Sequence, residues 1–317
     1  HSNRLYYVFP ETGKQVGEAV IDGTPYVFDE FGVLQTGIYT CEDGTIAGCA
    51  EDATPYTGFV TDETSHATYY FNENGIAQTG WQTVDGATYY LGEDGVLRTG
   101  LTSIDDSVYD FGTDGAMQTG LVTMEDGTVL FFGADGKQAM GLQTVDGKTY
   151  YFSDLGMAVN AKQTIDGKTY YFGADGSMQT GLVTLNNGVY YFGKDGSMQT
   201  GFVTMEDGTV LFFGADGKQA MGLQTVNGKT YYFSDLGMTV NAKQTIDGKT
   251  YYFGADGSMQ TGKVTLKDGS YYFGENGEQV TGWLVLDGSE YYFDLTTGKM
   301  ATGTVTLPDG TYIFDEN

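Results

Sequence analysis

An aromatic triplet that recurs every 20 or 21 residues is the feature that most constrains how this chain can fold. The first residue of the triplet occupies a regular series of positions: Tyr69, Tyr89, Tyr109, Leu130, Tyr150, Tyr170, Tyr190, Leu211, Tyr231, Tyr251, Tyr271, Tyr291 and Tyr312. Looser triplets begin at Tyr7 and Tyr26, and a longer repeat is superimposed, since residues 120–180 return almost unchanged at 201–261, 81 residues later. The sequence therefore predicts a repeat array rather than the two globular domains that its length alone would favour.

Each repeat is predicted to be a β-hairpin. In residues 163–181, Asp166-Gly167 and Asp175-Gly176 flank the triplet Tyr170-Tyr171-Phe172. Asp-Gly between strand-forming segments is a strong signal for a two-residue turn, because both central positions need positive φ. A lone hairpin is only marginally stable in water, so neighbouring hairpins must stack. The predicted fold class is all-β: an elongated solenoid of stacked β-hairpins with a repeat period of about 20 residues.

The array is predicted to be regular over residues 59–317, as one continuous solenoid, with residues 1–58 as an atypical N-terminal part. Residues 38–58 lack the triplet and carry the two cysteines, Cys41 and Cys49. We predict a disulfide between them, which would replace the missing aromatic packing, contribute roughly 2–3 kcal/mol, and fit an extracellular compartment. The alternatives are free thiols or a metal-binding pair, although two cysteines without a nearby histidine make a poor zinc site.

The charge of the chain limits its partners. The formal net charge is −27 and the sequence pI is near 4.1. This charge repels nucleic acids and anionic membranes, and no apolar run approaches the 18 or so residues of a membrane span. We therefore predict no nucleic-acid partner and no membrane insertion. The charge suits a neutral or cationic ligand, or serves solubility alone.

Alternation along a strand places the first and third triplet residues on one face and the second on the other. The third residue is predicted to be buried between hairpins. The second tyrosines either line ligand-binding grooves or staple adjacent hairpins, since a tyrosine ring can pack while its hydroxyl stays in water. These tyrosines are Tyr70, Tyr90, Tyr151, Tyr171, Tyr191, Tyr232, Tyr252, Tyr272 and Tyr292. Gln179 and Gln260 in the Met-Gln-Thr-Gly connectors are predicted to bond to ligand hydroxyls, with solvated loops as the alternative.

Residues 80–100, GWQTVDGATYYLGEDGVLRTG, resemble the cell-wall-binding repeats of Gram-positive bacteria. That superfamily includes choline-binding repeats, the glucan-binding repeats of glucosyltransferases and the C-terminal repeats of large clostridial toxins. The resemblance covers the chain from Gly58 onward and, more weakly, residues 1–37. It implies stacked hairpins with ligand sites between consecutive hairpins, in a secreted or cell-surface bacterial protein.

The resemblance also bears on the ligand. In choline-binding repeats a Trp before the Tyr-Tyr pair, the second Tyr and a Trp after the next glycine cage a trimethylammonium group. Here threonine replaces the first Trp in six units, and the second survives only as Trp81 and Trp283. The pattern is closer to the glucan-binding and toxin repeats, which implies a carbohydrate-binding module that holds an α-glucan or cell-wall glycan at several weak sites. The alternatives are a structural stalk or adhesin without a ligand and a choline-type anchor to teichoic acid.

The strongest binding is predicted at the two tryptophans. Trp81 is expected to lie between Tyr70 and Tyr90, and Trp283 between Tyr272 and Tyr292, where each would offer a large aromatic surface to a sugar ring. We predict no catalytic activity, because the carboxylates lie in exposed turns where nothing raises their pKa. No cofactor and no metal are predicted, because the Gly-x-Asp-Gly turns match neither an EF-hand nor the calcium-binding β-helix repeat.

Overall fold

A computed structural model describes residues 4–10 and 13–315, apart from the side chain of residue 9, so the extreme ends of the predicted segments 1–58 and 59–317, including His1, lie outside the described residues. Within the described residues every regular element is a β-strand and none is a helix, so no helix there could cross a membrane. The chain divides into two compact units. The first comprises His1–Val159 with Asp175–Ser177, and the second comprises Asn160–Ala174 with Met178–Asn317.

The strands of the first unit are β1 (Val8–Phe9), β2 (Gly13–Lys14), β3 (Gly17–Ile21), β4 (Thr24–Phe28), β5 (Gly37–Thr40), β6 (Ile46–Cys49), β7 (Gly58–Thr61), β8 (Thr68–Phe71), β9 (Gly80–Val84), β10 (Ala87–Leu91), β11 (Gly100–Ile104), β12 (Ser107–Phe111), β13 (Gly120–Thr123), β14 (Val129–Phe132), β15 (Gly141–Val145), β16 (Lys148–Ser153) and β17 (Gly156–Met157). Consecutive strands pair antiparallel, and β17 adds a third strand to the β15–β16 hairpin.

The strands of the second unit are β18 (Ala161–Ile165), β19 (Lys168–Phe172), β20 (Gly181–Leu185), β21 (Gly188–Phe192), β22 (Gly201–Thr204), β23 (Val210–Phe213), β24 (Gly222–Val226), β25 (Lys229–Ser234), β26 (Gly237–Met238), β27 (Ala242–Ile246), β28 (Lys249–Phe253), β29 (Gly262–Leu266), β30 (Gly269–Phe273), β31 (Gly282–Leu286), β32 (Ser289–Phe293), β33 (Gly303–Leu307) and β34 (Gly310–Phe314). They pair in the same way, with β26 as the third strand beside β24–β25.

Several hairpin turns, including those at Asp166-Gly167 and Asp247-Gly248, have the predicted conformation. Asp166 and Gly167 have φ values of 50° and 76°, and Asp247 and Gly248 have 51° and 78°. Two successive positive φ values define the type I′ turn, whose twist matches that of the flanking strands. The turn fixes the register, so that Thr164 faces Thr169 and Ala161 faces Phe172 across β18–β19.

Backbone hydrogen bonds join each hairpin to the next. The connector that follows each hairpin donates an N–H hydrogen bond to a strand carbonyl of the preceding hairpin. Examples are Met198, after β20–β21, to Thr169 in β19 (2.7 Å) in the second unit, and Met117, after β11–β12, to Thr88 in β10 (2.8 Å) in the first. The same connection recurs one repeat later, from Gln219 to Val189. Because hairpins stack on their neighbours with a period of about 20 residues, the predicted all-β solenoid of stacked β-hairpins is confirmed.

The core is the row of third triplet residues, as predicted. Phenylalanines at this position are at most 1% exposed at Phe71, Phe111, Phe132, Phe152, Phe172, Phe192, Phe213, Phe233, Phe253, Phe273 and Phe293. Each faces the residue that opens its own hairpin, which is a glycine in most hairpins, as Gly181 opposite Phe192, and an alanine opposite Phe172 and Phe253. Full burial of such a ring stabilises the fold by roughly 1.5–3 kcal/mol, so this row supplies much of the energy that holds the stack together.

The predicted disulfide between Cys41 and Cys49 is wrong for this structure, in which both cysteines are free and buried. The register of β5–β6 explains why. Cys49 faces Gly37, whereas Cys41 follows Thr40 and bonds through its N–H to Thr45. The two cysteines therefore lie four residues apart along the hairpin, or about 13 Å. A disulfide requires Cα atoms within about 7 Å.

Packing rather than a covalent bond replaces the missing triplet in this segment. Both thiols belong to a cluster with Phe28, Leu34 and Tyr39. The Tyr39 hydroxyl donates to Cys49 Sγ at 3.9 Å, and burial raises the pKa of both thiols. The cysteines thus act here as small apolar side chains, and they give no support to an oxidising compartment.

Candidate functional site

The second residue of each hairpin defines what we call the post-glycine row, since a glycine opens every hairpin from β3 onward except the two that open with Ala161 and Ala242. It points away from the core, because the first strands alternate between half-buried and exposed residues. Four members of this row are aromatic, namely Phe59, Trp81, Phe202 and Trp283, and each is 38–43% exposed. The repeat therefore brings large aromatic rings to the surface at one equivalent position in four hairpins.

Neighbouring rings hold Trp81 in place. Trp81 faces Tyr90 across β9–β10, with ring centroids 5.0 Å apart and an interplanar angle of 61°. It also meets Tyr109 of the following hairpin at 4.9 Å and 67°. Edge-to-face contacts of this kind contribute about 0.5–1.5 kcal/mol beyond area burial. The indole is consequently fixed between two tyrosines while a large part of it remains in solvent.

Trp283 repeats this arrangement in the second unit. Its ring lies 5.2 Å from Tyr292 of its own hairpin and 5.0 Å from Tyr312 of the next, at 64° and 70°. Phe314 closes the contact at 5.8 Å. Two tryptophans more than 200 residues apart in the chain thus have nearly the same surroundings.

Two phenylalanines occupy the same position and were not predicted as site residues. The ring centroid of Phe59 lies 4.9 Å from that of Tyr70 and 4.8 Å from that of Tyr89 in the next hairpin. Phe202 lies 5.2 Å from Phe212 and 5.1 Å from Tyr231 of the next hairpin. The signal was present in the sequence, because both residues follow the opening glycine as the tryptophans do.

For each tryptophan, one of the two predicted neighbouring tyrosines is in contact and the other is not. Trp81 contacts Tyr90 as expected, but its second partner is Tyr109 rather than Tyr70, which packs on Phe59. Trp283 likewise contacts Tyr292 and Tyr312 rather than Tyr272, which packs 6.3 Å from Phe293. The physical reason is the stacking direction: a post-glycine side chain reaches the following hairpin, not the preceding one.

The second tyrosines staple adjacent hairpins. In the second unit Tyr171, Tyr191, Tyr232 and Tyr252 each lie 6.0–6.1 Å from the core phenylalanine of the next hairpin. Tyr252 is buried, and Tyr151 in the first unit is half-buried opposite Leu142. The structure thus places most of these predicted ligand-binding tyrosines within the interlock between hairpins.

The predicted glutamines lie within their own connectors. The Gln260 amide donates to the Ser258 carbonyl at 2.8 Å and to the Ser258 hydroxyl at 3.0 Å. The amide of Gln179 packs in the same way over Gly173, where its nitrogen would lie 2.8 Å from an added Cβ. Both side chains are half-buried, and the observed bonds stabilise the connector.

We call the contact between a post-glycine residue and the following hairpin a junction. The junction at Trp283 carries a negative charge that the junction at Trp81 lacks. An open groove beside Trp283 is lined by Leu284, Val285, Glu290 and Tyr312. Glu290 stands where the corresponding hairpin of Trp81 has Thr88, and burial together with the Asp309 and Glu290 carboxylates raises the pKa of Tyr312. Residues 4–10 and 13–315 contain no cluster of three or more acidic, histidine or cysteine side chains suited to a metal ion.

Comparison with known proteins agrees with this geometry. The family described as a choline-binding repeat matches residues 57–98, 159–198, 240–270 and 264–305, and the one described as a putative cell wall binding repeat matches residues 221–237. Both tryptophans lie inside matched segments. No curated protein sequence gives a significant match.

Solved structures show the same fold. Choline binding protein F from Streptococcus pneumoniae is 25% identical, with a TM-score of 0.51 over 82% of this chain and 97% of that one. The modular autolysin LytC from the same organism, solved with a synthetic peptidoglycan ligand, is 23% identical with a TM-score of 0.51, over 70% of this chain and 52% of that one. Because hairpin period, aromatic interlock and family matches coincide along the array, the chain belongs to the superfamily of cell-wall-binding and choline-binding repeats.

Proposed function

We propose that this chain is a non-catalytic carbohydrate-binding module of a secreted or cell-surface bacterial protein. It binds an α-glucan or a cell-wall glycan at the exposed aromatic residues of the post-glycine row. The observation that carries the proposal is the set of four exposed rings, Phe59, Trp81, Phe202 and Trp283, each held by rings of its own and the next hairpin.

A rigid exposed ring suits a pyranose. The C–H face of a sugar packs against an aromatic face, and a ring already fixed by its neighbours loses little side-chain entropy when the sugar binds. The protein has a net charge of −27, which would repel an anionic ligand but does not oppose binding of an uncharged sugar. These features favour an uncharged, ring-shaped ligand.

The close packing of the rings argues against a choline cage between them. The centroids of Trp81 and its two tyrosines are only 4.9–5.0 Å apart. A group held between two rings would need roughly 7–8 Å, because each contact distance is about 3.5–4.0 Å. Binding at these junctions therefore uses the outer surface of the aromatic residue.

Several weak sites would act together on one polymer. Each unit carries two exposed rings of the post-glycine row, Phe59 and Trp81 in the first and Phe202 and Trp283 in the second. Once one site has bound a polysaccharide, binding of the same polysaccharide at a second site is intramolecular. Retention can therefore exceed the affinity of either site without any new interaction. A polysaccharide is thus a better ligand than its monosaccharide.

A second candidate ligand is a choline-type cation at the Trp283 groove. Glu290 supports it, because a carboxylate beside an open aromatic face attracts a cation from solvent. Free choline should then compete for wall binding in the parent chain, and Glu290→Thr, which copies the Trp81 junction, should abolish that competition.

The main test is affinity electrophoresis in gels containing dextran, starch or purified cell wall. An aromatic contact contributes about 0.5–1.5 kcal/mol, so Trp81→Ala and Trp283→Ala should each weaken retention by roughly 2- to 12-fold, and the double variant by more than either. Leu182→Ala is the matched control, since Leu182 is an exposed aliphatic member of the same row.

Circular dichroism should show that all variants stay folded at the temperature of the gel. Tryptophan variants retained as strongly as the parent would contradict the proposed sites. A parent chain that none of the three polymers retards would instead support the structural stalk.

A further inference from the structure

Lysines stand in the post-glycine row at three positions of the second unit: Lys162 and Lys243, whose hairpins open with alanine, and Lys263, whose hairpin opens with glycine. Lys162 faces Tyr171 and Lys243 faces Tyr252 across their hairpins, just as Trp81 faces Tyr90. The three lysines therefore start from the backbone position that carries the exposed ring in other hairpins.

Two of these lysines cover an aromatic ring of the following hairpin. The Lys162 ammonium nitrogen lies 3.2 Å from the ring centroid of Tyr190, and that of Lys243 lies 3.1 Å from the centroid of Tyr271. In the aromatic junctions the equivalent tyrosine, Tyr109, meets the indole of Trp81. The ammonium group thus occupies the place of the aromatic residue and is attracted by the negative face of the ring.

The covered tyrosines are also held by burial and by their hydroxyl groups. Tyr190 and Tyr271 are only 1% and 2% exposed. The Tyr190 hydroxyl donates to Asn187 Oδ1 at 3.2 Å, and the Tyr271 hydroxyl donates to Asp268 Oδ2 at 2.6 Å. Each ring therefore has a fixed position against which a lysine of its own chain rests.

The third lysine provides an internal comparison. Lys263 has the same place in its hairpin, facing Tyr272, and is exposed as Lys162 is. Among the described residues, however, no aromatic ring lies beneath its ammonium group. Both Lys162 and Lys263 are exposed to solvent, but only Lys162 contacts an aromatic ring.

We propose that Lys162 and Lys243 are built-in cations that close their junctions, so that the post-glycine residue decides which hairpin junctions bind ligand. An aromatic residue there makes an open site, and a lysine on the next tyrosine makes a closed one. The part of this inference that concerns ligand rests on the proposed carbohydrate binding, whereas the closure itself does not. The two parts can be tested separately.

Closure is tested by limited acetylation of the intact chain, with the labelled lysines quantified by mass spectrometry. A cation–π contact should slow the reaction of Lys162 roughly 2- to 30-fold relative to Lys263. Tyr190→Leu should raise the Lys162 rate to that of Lys263, and the array tolerates leucine at this place, as at Leu130 and Leu211. Equal rates for Lys162 and Lys263 in the parent would overturn the proposal.

The effect on ligand is tested with Lys162→Trp and Lys243→Trp in the polysaccharide gels. Each should add an open site and strengthen retention roughly 2- to 12-fold, whereas Lys162→Arg, which keeps the cation, should leave retention unchanged. Failure of both tryptophan variants to gain, while the parent is retained and all chains stay folded, would overturn control by the post-glycine residue. If the parent itself is not retained, the proposed function fails and the acetylation result still decides closure.

Discussion

At the scale of single residues, some glycines are required for two separate reasons. Gly75 has a φ of +68°, and a Cβ added to it would lie 2.8 Å from the carbonyl oxygen of Gly48 and 3.1 Å from Pro55 Cβ. Gly80, five residues later, has a φ of +70° but nothing within 4 Å of its added Cβ. At Gly80 only the positive φ disfavours a larger residue, whereas at Gly75 a side chain would also collide with its neighbours.

We expect Gly75→Ala to destabilise the chain more than Gly80→Ala. Both variants place an alanine in the left-handed region, at a cost of about 1–2 kcal/mol. Only Gly75→Ala also drives a methyl group against the backbone carbonyl of Gly48, which adds about 1–3 kcal/mol. Urea denaturation followed by near-ultraviolet circular dichroism measures the difference, and equal midpoints would show that the Gly48 contact relaxes freely.

At the scale of the hairpin, the connector turn carries a carboxylate with two kinds of partner. Asp195 Oδ1 accepts hydrogen bonds from the Ser197 hydroxyl at 2.7 Å and from its N–H at 3.0 Å. Asp195 Oδ2 pairs with Lys168 of the preceding hairpin at 3.1 Å. The hydrogen bond from the Ser197 hydroxyl is the largest single cause that lowers the Asp195 pKa to about 2, ahead of the Ser197 N–H bond and of the hydrogen bond from Lys168.

Ser197→Ala should therefore raise the pKa of Asp195 more than Lys168→Met does. A folded-state pKa below the unfolded value of about 3.9 means that this carboxylate stabilises the fold fully above about pH 4. Its contribution is lost as the pH falls towards 2. A carboxyl-carbon NMR titration measures both shifts, and a larger shift in Lys168→Met would show that the link between hairpins dominates the turn.

The same scale shows what the sequence could and could not predict. Asp166-Gly167 and the buried Phe172 were predictable, because turn chemistry and strand alternation are local. The partner of Trp81 was not, because the period gives the spacing of hairpins but not the direction in which a side chain reaches its neighbour. Cys41 and Cys49 misled for a related reason: their short spacing suggested a bridge, whereas the hairpin register separates them.

At the scale of the whole molecule, equivalent junctions are interchangeable. Met117 packs on Gly136 as Met198 packs on Gly217, with sulfur atoms 2.2 and 2.4 Å from where a Cβ would stand. The connector bond from Gln138 to Val108 likewise matches that from Gln219 to Val189. The contacts that follow residue 119 and those that follow residue 200 are therefore alike.

Deletion of residues 120–200 should consequently leave a folded chain. The new junction joins Thr119 to Gly201 and presents Met117 to Gly217, a contact of the existing kind. We expect an unchanged far-ultraviolet spectrum per residue and a cooperative thermal transition, since repeat stability adds through nearest neighbours. Deletion of residues 120–190, which breaks the hairpin phase, is the control and should lose both. Similar unfolding of the two variants would contradict interchangeability.

The near-identity of residues 120–180 and 201–261 also affects how genes for such chains can change. Coding sequences that repeat one another can pair out of step during DNA replication or recombination, and the exchange then removes or adds one whole 81-residue period. Because the added period meets matching neighbours on both sides, we expect the product to fold without further mutation. Descendant genes can therefore differ in length, and each added copy of the second block brings another exposed ring at the place of Phe202.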